Sequence, residues 1–357
     1  MNNKILSIQY MRGIAALLVV LFHFRMPLNG VYEQKNLGDL LFINGSIGVD
    51  LFFIISGYII SFATEKPEST ITFALKRIFR IWPVYIFLLI SMCLIDNSDY
   101  SFIKSLFFIH ADYSKHAPFF GYSMIASAWT LTFEIYFYII FMISMCISHK
   151  YRILISSLSI MTLNISLQYI FNHEYSLAGY ATAHYYGFMT PAIKVLSSPM
   201  MLEFVCGMLA YRLLSLFNKS NNEILISFLR YFFYASAIYF IYVFSSGYNA
   251  NHGLFGFGIA SLLLFISVVA LEKTSCIFHS KIMLKLGDLS YSMYISHIVV
   301  SSYLIYYAAN SQWYVSSEGF SKLFLRVSLT IFVSGIVYNI IEKPFIKVGR
   351  YFISRIK

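Results

Sequence analysis

Ten separate stretches of this chain stay apolar for about 20 residues, the helix length that crosses the hydrocarbon core of a bilayer. They run over 5–24, 47–64, 78–95, 125–147, 152–171, 198–216, 226–246, 253–271, 288–309 and 321–342. In lipid a backbone amide must find its partner within its own segment or a closed barrel. Runs of this length therefore predict an all-α polytopic membrane protein with ten transmembrane helices. Composition supports this where a soluble alternative would need it most. Only 12% of the 357 residues are charged, against about 25% in soluble domains. No connection is long enough for a separate soluble domain, so the expectation is a single membrane domain over 1–357, with no appended soluble domain. The longest connections, 25–46, 96–124 and 172–197, have room for short interfacial helices, and 101–110 reads as one.

The formal net charge is +10, which would suit nucleic acid if the cations formed a patch. Instead they are scattered among the short loops, so no nucleic-acid partner is expected. With the N-terminus placed inside, alternate loops and the neighbouring helix ends collect 17 of the 26 Lys and Arg residues. The opposite side receives 6, and Arg12, Arg230 and Arg326 lie within spans. By the positive-inside rule both termini are cytoplasmic. Lys4 followed by an apolar run superficially resembles a signal peptide. Arg12 interrupts that run and no small-residue cleavage site follows, so a retained first helix is expected. Cys93, Cys146, Cys206 and Cys276 lack the spacing of a disulfide framework or a metal site, and no metal is expected.

Ionisable residues inside spans are costly and usually face a pathway or site. Arg12 and His23 are 11 residues apart, about 1,100° of turn and about 16 Å of rise, so they share a helix face to within about 20°. The bland alternative is a snorkelling Arg and an interfacial His. Arg77 and Arg80, just before the third span, share a face at i and i+3. Paired guanidinium groups suit phosphate oxygens, although any inner helix end also attracts cations. Glu134 in the fourth span and Glu203 in the sixth each require a partner, a proton or water. Pro344 is expected to close the tenth span behind Glu342 and Lys343. His297, in the ninth, reads as a packing residue as readily as a catalyst.

Taken together these features resemble the acyltransferase family 3 membrane O-acyltransferases, which acetylate bacterial cell-surface carbohydrates. Five motifs carry the resemblance. Arg12 through His23 is similar to the family's R-x10-H first helix. Residues 48–58, Gly-Val-Asp-Leu-Phe-Phe-Ile-Ile-Ser-Gly-Tyr, include Asp50 and Ser56 and resemble its G-V-D-x-F-F-x-x-S-G. Arg77, Arg80, Ile81, Pro83 and Tyr85 match R-x-x-R-I-x-P-x-Y. Trp129 through Glu134 resembles W-[ST]-L-x-x-E. Gly287 through His297, with Tyr291 and Tyr294, resembles G-x-x-S-Y-x-x-Y-x-x-H. The opening Ser-Ile-Gln-Tyr at 7–10 is closest to members acting on exopolysaccharide and O-antigen.

The resemblance implies a multi-pass enzyme of the bacterial inner (cytoplasmic) membrane, in contact with membrane lipids. It moves an acetyl group from cytoplasmic acetyl-CoA to a hydroxyl of a carbohydrate or lipid-linked glycan in exopolysaccharide, O-antigen or capsule. In that scheme Arg77 and Arg80 anchor the donor phosphates, Arg12 lies along the donor's route, and His23 acts as the base. A carboxylate would orient His23. The resemblance marks Glu342 as important, while the topology favours Glu134. His23 could equally carry the acetyl group covalently. The competing class is a transporter or flippase of a lipid-linked sugar or acyl donor, which has no need of a CoA-sized phosphate site.

Overall fold

The computed structural model describes residues 5–95, 102–220, 222–275 and 277–356. Lys4, Ser101, Cys276 and Lys357, all used above, lie outside the described residues. In chain order the helices are α1 (Leu6–His23), α2 (Leu37–Phe42), α3 (Ile47–Ala63), α4 (Thr70–Cys93), α5 (Phe102–Leu106), α6 (Trp129–Ile147), α7 (Arg152–Asn172), α8 (Thr190–Ser197), α9 (Met201–Leu214), α10 (Glu223–Ser246), α11 (Ile259–Thr274), α12 (Lys281–Ala308), α13 (Gln312–Val315), α14 (Gly319–Val337) and α15 (Lys343–Ile356). No strand occurs among the described residues, and the all-helical expectation holds.

Seven helical runs are long and apolar enough to cross a membrane, or eight if α8 and α9, bent by 51°, count as one span. The other two long helices, α4 and α12, are diluted by polar residues. In α4 these are Lys76, Arg77 and Arg80, and in α12 a series of Ser, Tyr and His. Both carry motif residues, as do α1, α3 and α6 among the apolar runs.

Three local expectations need correction. α4 begins at Thr70, where the Ser69 hydroxyl accepts the Thr72 amide at 3.1 Å, a helix N-cap. The helix thus starts eight residues before the apolar run, and Arg77 and Arg80 lie a turn apart within it, as the i, i+3 spacing predicts. The helix expected over 101–110 shrinks to the five residues of α5, because Phe108 takes a left-handed φ of 57°. Pro344 does not end the helix. A wider π-turn, Tyr338–Glu342, precedes it, with the Lys343 amide donating to the Tyr338 carbonyl. Pro344 then sits in the first turn of α15, where the missing N–H costs no bond.

The described chain divides into two compact units. The first comprises Met1–Ala15, Ser46–Lys66 and Phe133–Asp288. Its centre is the crossing of α3 and α9, where a Cβ on Gly57 would lie 2.1 Å from the Phe204 carbonyl oxygen and one on Gly207 2.0 Å from that of Ile54. Only glycine permits that approach, and close backbones are what holds helices together in lipid. Phe53 and Phe137 stack on Phe204 beside the crossing, with centroids 4.6 and 4.5 Å away. The start of α1 is pinned by Glu272, whose carboxylate accepts the Leu6 and Ser7 amides at 2.7 and 2.8 Å. Those amides have no partner within the helix, and an anion at this end also suits the helix dipole.

The second unit comprises Ala16–Gly45, Pro67–Thr132 and Leu289–Lys357. Here α15 lies along α4, with Phe352 stacked on Phe79 at 5.8 Å. α12 meets α14 through paired hydroxyls, Ser296 to Ser334 at 2.9 Å. Arg326 is absorbed locally, donating from Nε to the Tyr314 hydroxyl at 3.0 Å.

Candidate active site

In the second unit the C-terminal turn of α1 delivers His23 and the middle of α12 delivers His297. The rings lie 4.7 Å apart between centroids, with His23 Nδ1 3.3 Å from His297 Nε2. His23 Nδ1 is also 2.9 Å from the Val19 carbonyl oxygen, one helical turn back. A carbonyl can only accept, so Nδ1 carries the ring proton of neutral His23 and Nε2 holds the basic lone pair. His297 is fully buried, and its Nε2 is placed to share the same Nδ1–H. Among the described residues of this unit the hydrogen-bond partners of His23 are Val19 and His297, and no carboxylate is one of them.

α12 organises the rest of this unit's polar core from successive faces. Ser292 donates to Glu342 Oε2 at 2.5 Å, and Glu342 is buried at the π-turn that follows α14. Tyr291 donates to the Ile81 carbonyl at 2.8 Å, one residue beyond Arg80. The Tyr294 hydroxyl lies 3.0 Å from the Thr130 hydroxyl and 3.1 Å from the Ser127 carbonyl, beside Trp129. Trp129 is itself buried edge-to-face against Phe119 at 5.1 Å. Arg77 and Arg80 follow one another by a turn on α4. Arg77 is buried with its guanidinium 5.4 Å from the Phe73 ring, and Arg80 is half-buried. Guanidinium groups held in low dielectric bind phosphate more strongly than solvated ones.

The first unit holds the remaining motif residues. Glu134 accepts hydrogen bonds from Tyr138 and, at 3.3 Å, from Ser56. This joins the serine of the second-helix motif to the carboxylate of the fourth. Arg12 is half-buried on α1. Asp50 is fully buried, accepting from His252 Nδ1 at 2.7 Å and from the Gly253 amide at 2.9 Å, and Glu203 is buried against it.

Two partners were not singled out from sequence. Ser292 stands in the quoted ninth-span motif, and its i–4 relation to Ser296 was the available signal for a face turned to another helix. His252 lies 202 positions from Asp50 in a short loop, and nothing local marks it.

Buried ionisable groups among several membrane-length apolar helices mark a multi-pass membrane protein with a polar interior. Residues 5–339 match the family described as the acyltransferase domain, and the chain belongs to that family. A protein of Staphylococcus aureus (strain COL) carrying the name putative O-acetyltransferase is 24% identical over 95% of this chain and 57% of its own length. The exopolysaccharide production protein ExoZ of Rhizobium meliloti (strain 1021) is 26% identical over 87% of this chain and 92% of its own. The chain thus spans little more than half the length of the staphylococcal relative. No solved structure matches.

Proposed function

We propose that the protein transfers an acetyl group from cytoplasmic acetyl-CoA to a hydroxyl of a cell-surface or lipid-linked carbohydrate, in the bacterial cytoplasmic membrane. The observation that carries this reading is the fixed tautomer of His23, with Nδ1 held 2.9 Å from the Val19 carbonyl. The family match and the names of the relatives supply the reaction class.

In the proposed reaction His23 Nε2 takes the proton of the sugar hydroxyl as its oxygen attacks the thioester carbonyl. The tetrahedral adduct then collapses, the carbon–sulfur bond breaks, and the imidazolium returns its proton to the departing CoA thiolate. A positioned base of this kind contributes about 10²–10⁴-fold. His297 is a positioning residue that shares the Nδ1 proton. Arg77 and Arg80 hold donor phosphates, and Arg12, eleven residues before His23 on α1, is retained as a separate donor-binding candidate. Glu134 and Glu342 are retained as supporting carboxylates, each already tied to hydroxyl donors. The proposal includes ten spans with both termini cytoplasmic, which takes α4, α12 and the bent α8–α9 pair as spans beside the seven apolar runs.

Replacing His23 by Ala tests the reading directly. Surface glycans from cells carrying His23→Ala should lose the base-labile acetyl mass found with the unaltered chain, at equal membrane abundance of the protein. Normal O-acetylation by the variant would remove His23 from the reaction.

A further inference from the structure

A cavity of about 380 Å³ opens in the first unit between the segment around Gly179 and the loop that follows α10. That size lies at the small end of ligand pockets, about 300–1,000 Å³. We propose that this cavity binds a neutral pyranose ring, a sugar-binding subsite distinct from the residues assigned to the transfer step. It rests on the acyltransferase reading only in taking that ring to belong to the acceptor glycan.

The site is built and not a gap between loops. Asp50 holds it from beneath, gripping the His252 ring and the Gly253 amide at once. The Phe257 amide closes the loop on the Asn251 carbonyl at 2.9 Å. A Cβ on Gly179 would fall 1.8 Å from the His252 carbonyl oxygen, so glycine is required where the two segments touch.

The wall then carries two kinds of group. Tyr180 and Phe255 are 68% and 56% exposed, open aromatic faces of the kind that pack on the C–H side of a sugar ring. Asn249 and Asn251 are exposed beside them, and their side-chain amides make no hydrogen bond with a described residue. An amide both donates and accepts, as a sugar hydroxyl does. Among the residues lining the cavity there is no Lys or Arg. Phosphate, and with it the nucleotide end of a CoA donor, is therefore poorly served here. In the proposed topology both segments face away from the cytoplasm, the side on which a surface glycan is met.

The test uses the full chain in lipid nanodiscs and saturation-transfer NMR with the methyl α-glycosides of glucose, galactose, mannose and N-acetylglucosamine. At least one should receive saturation, undiminished by excess inorganic phosphate. Tyr180→Ala and Asn251→Ala replace exposed side chains and should melt normally while weakening that glycoside about five- to tenfold, the loss of one or two modest contacts. His23→Ala should bind the glycoside as the unaltered chain does. Absence of saturation transfer, equal binding by both wall variants, or displacement by phosphate would each overturn the proposal. The readout requires no turnover, so failure of the transfer assignment at His23 and failure of the sugar subsite are separate results.

Discussion

Each compact unit fixes one histidine by its Nδ1, and the two use different acceptors. In the second unit the acceptor is the Val19 backbone carbonyl, with His297 alongside. In the first it is the Asp50 carboxylate, which also anchors the Gly253 amide. A carbonyl sets the tautomer and leaves the opposite nitrogen as a neutral base. A carboxylate that is bonded to the loop backbone as well knits the ring into the wall of a cavity. On the proposed reading the same side chain serves chemistry in one unit and architecture in the other.

Alanine at each position should break that symmetry most visibly. His23→Ala should lower transfer at least about 100-fold while leaving the melting temperature of the detergent-solubilised protein nearly unchanged. His252→Ala should do the reverse. It removes a partner from the fully buried Asp50 and should lower the melting temperature with transfer still measurable. Loss of transfer at unaltered stability in His252→Ala would erase the distinction.

The next largest effect belongs to the arginines of α4. With Arg77→Ala and Arg80→Ala combined, the acetyl-CoA concentration for half-maximal rate should rise about 10- to 100-fold, the worth of charge-assisted hydrogen bonds at about 1.5–3 kcal/mol. Dependence on the acceptor should stay as it was. An unchanged donor dependence would exclude the phosphate-anchor role. Ser292→Ala should follow, costing about 1–2 kcal/mol of stability because it withdraws a donor from buried Glu342. Melting curves read this directly, and an unshifted curve would show that the Ser292–Glu342 contact carries little energy.

Much of this arrangement was legible in the sequence. The 11-residue spacing of Arg12 and His23 holds because α1 is one unbroken helix over both, and apolar run length alone placed most helix ends within a few residues. Misplaced ends arise where a local signal competes with run length. Ser69 caps α4, which starts eight residues ahead of the apolar stretch, and the π-turn at Tyr338 lets the chain pass Pro344 without stopping. Pairings were the hidden part. Motif residues announce themselves by being polar in an apolar run, but the partner of a buried group is chosen by helix crossing, which no local pattern encodes. Ser292 for Glu342, His297 for His23 and His252 for Asp50 are all of this kind.

A third histidine sharpens the comparison because it has neither kind of acceptor. His110, in the connection after α5, is 2% exposed, and neither ring nitrogen has a hydrogen-bond partner among the described residues. Its ring meets the edges of Tyr113 and Phe120 at 5.3 and 5.6 Å. Burial without a partner disfavours the imidazolium and pushes the ring down from 6.5 to about 4. The sign of the stability effect follows from linkage. Above pH 6.5 both folded and unfolded chains hold the ring neutral, so its contribution is fully present. As pH falls from 6.5 toward 4 the unfolded chain binds a proton that the folded one refuses, and stability is lost. At pH 5.5 that loss comes to about 1.4 kcal/mol. Melting temperature measured from pH 7.5 to 5 should therefore decline, and His110→Phe, which cannot titrate, should decline less over the same interval. Parallel declines in the two proteins would mean that the ring is accepting its proton inside the fold, and that this buried imidazole is better solvated than its surroundings imply.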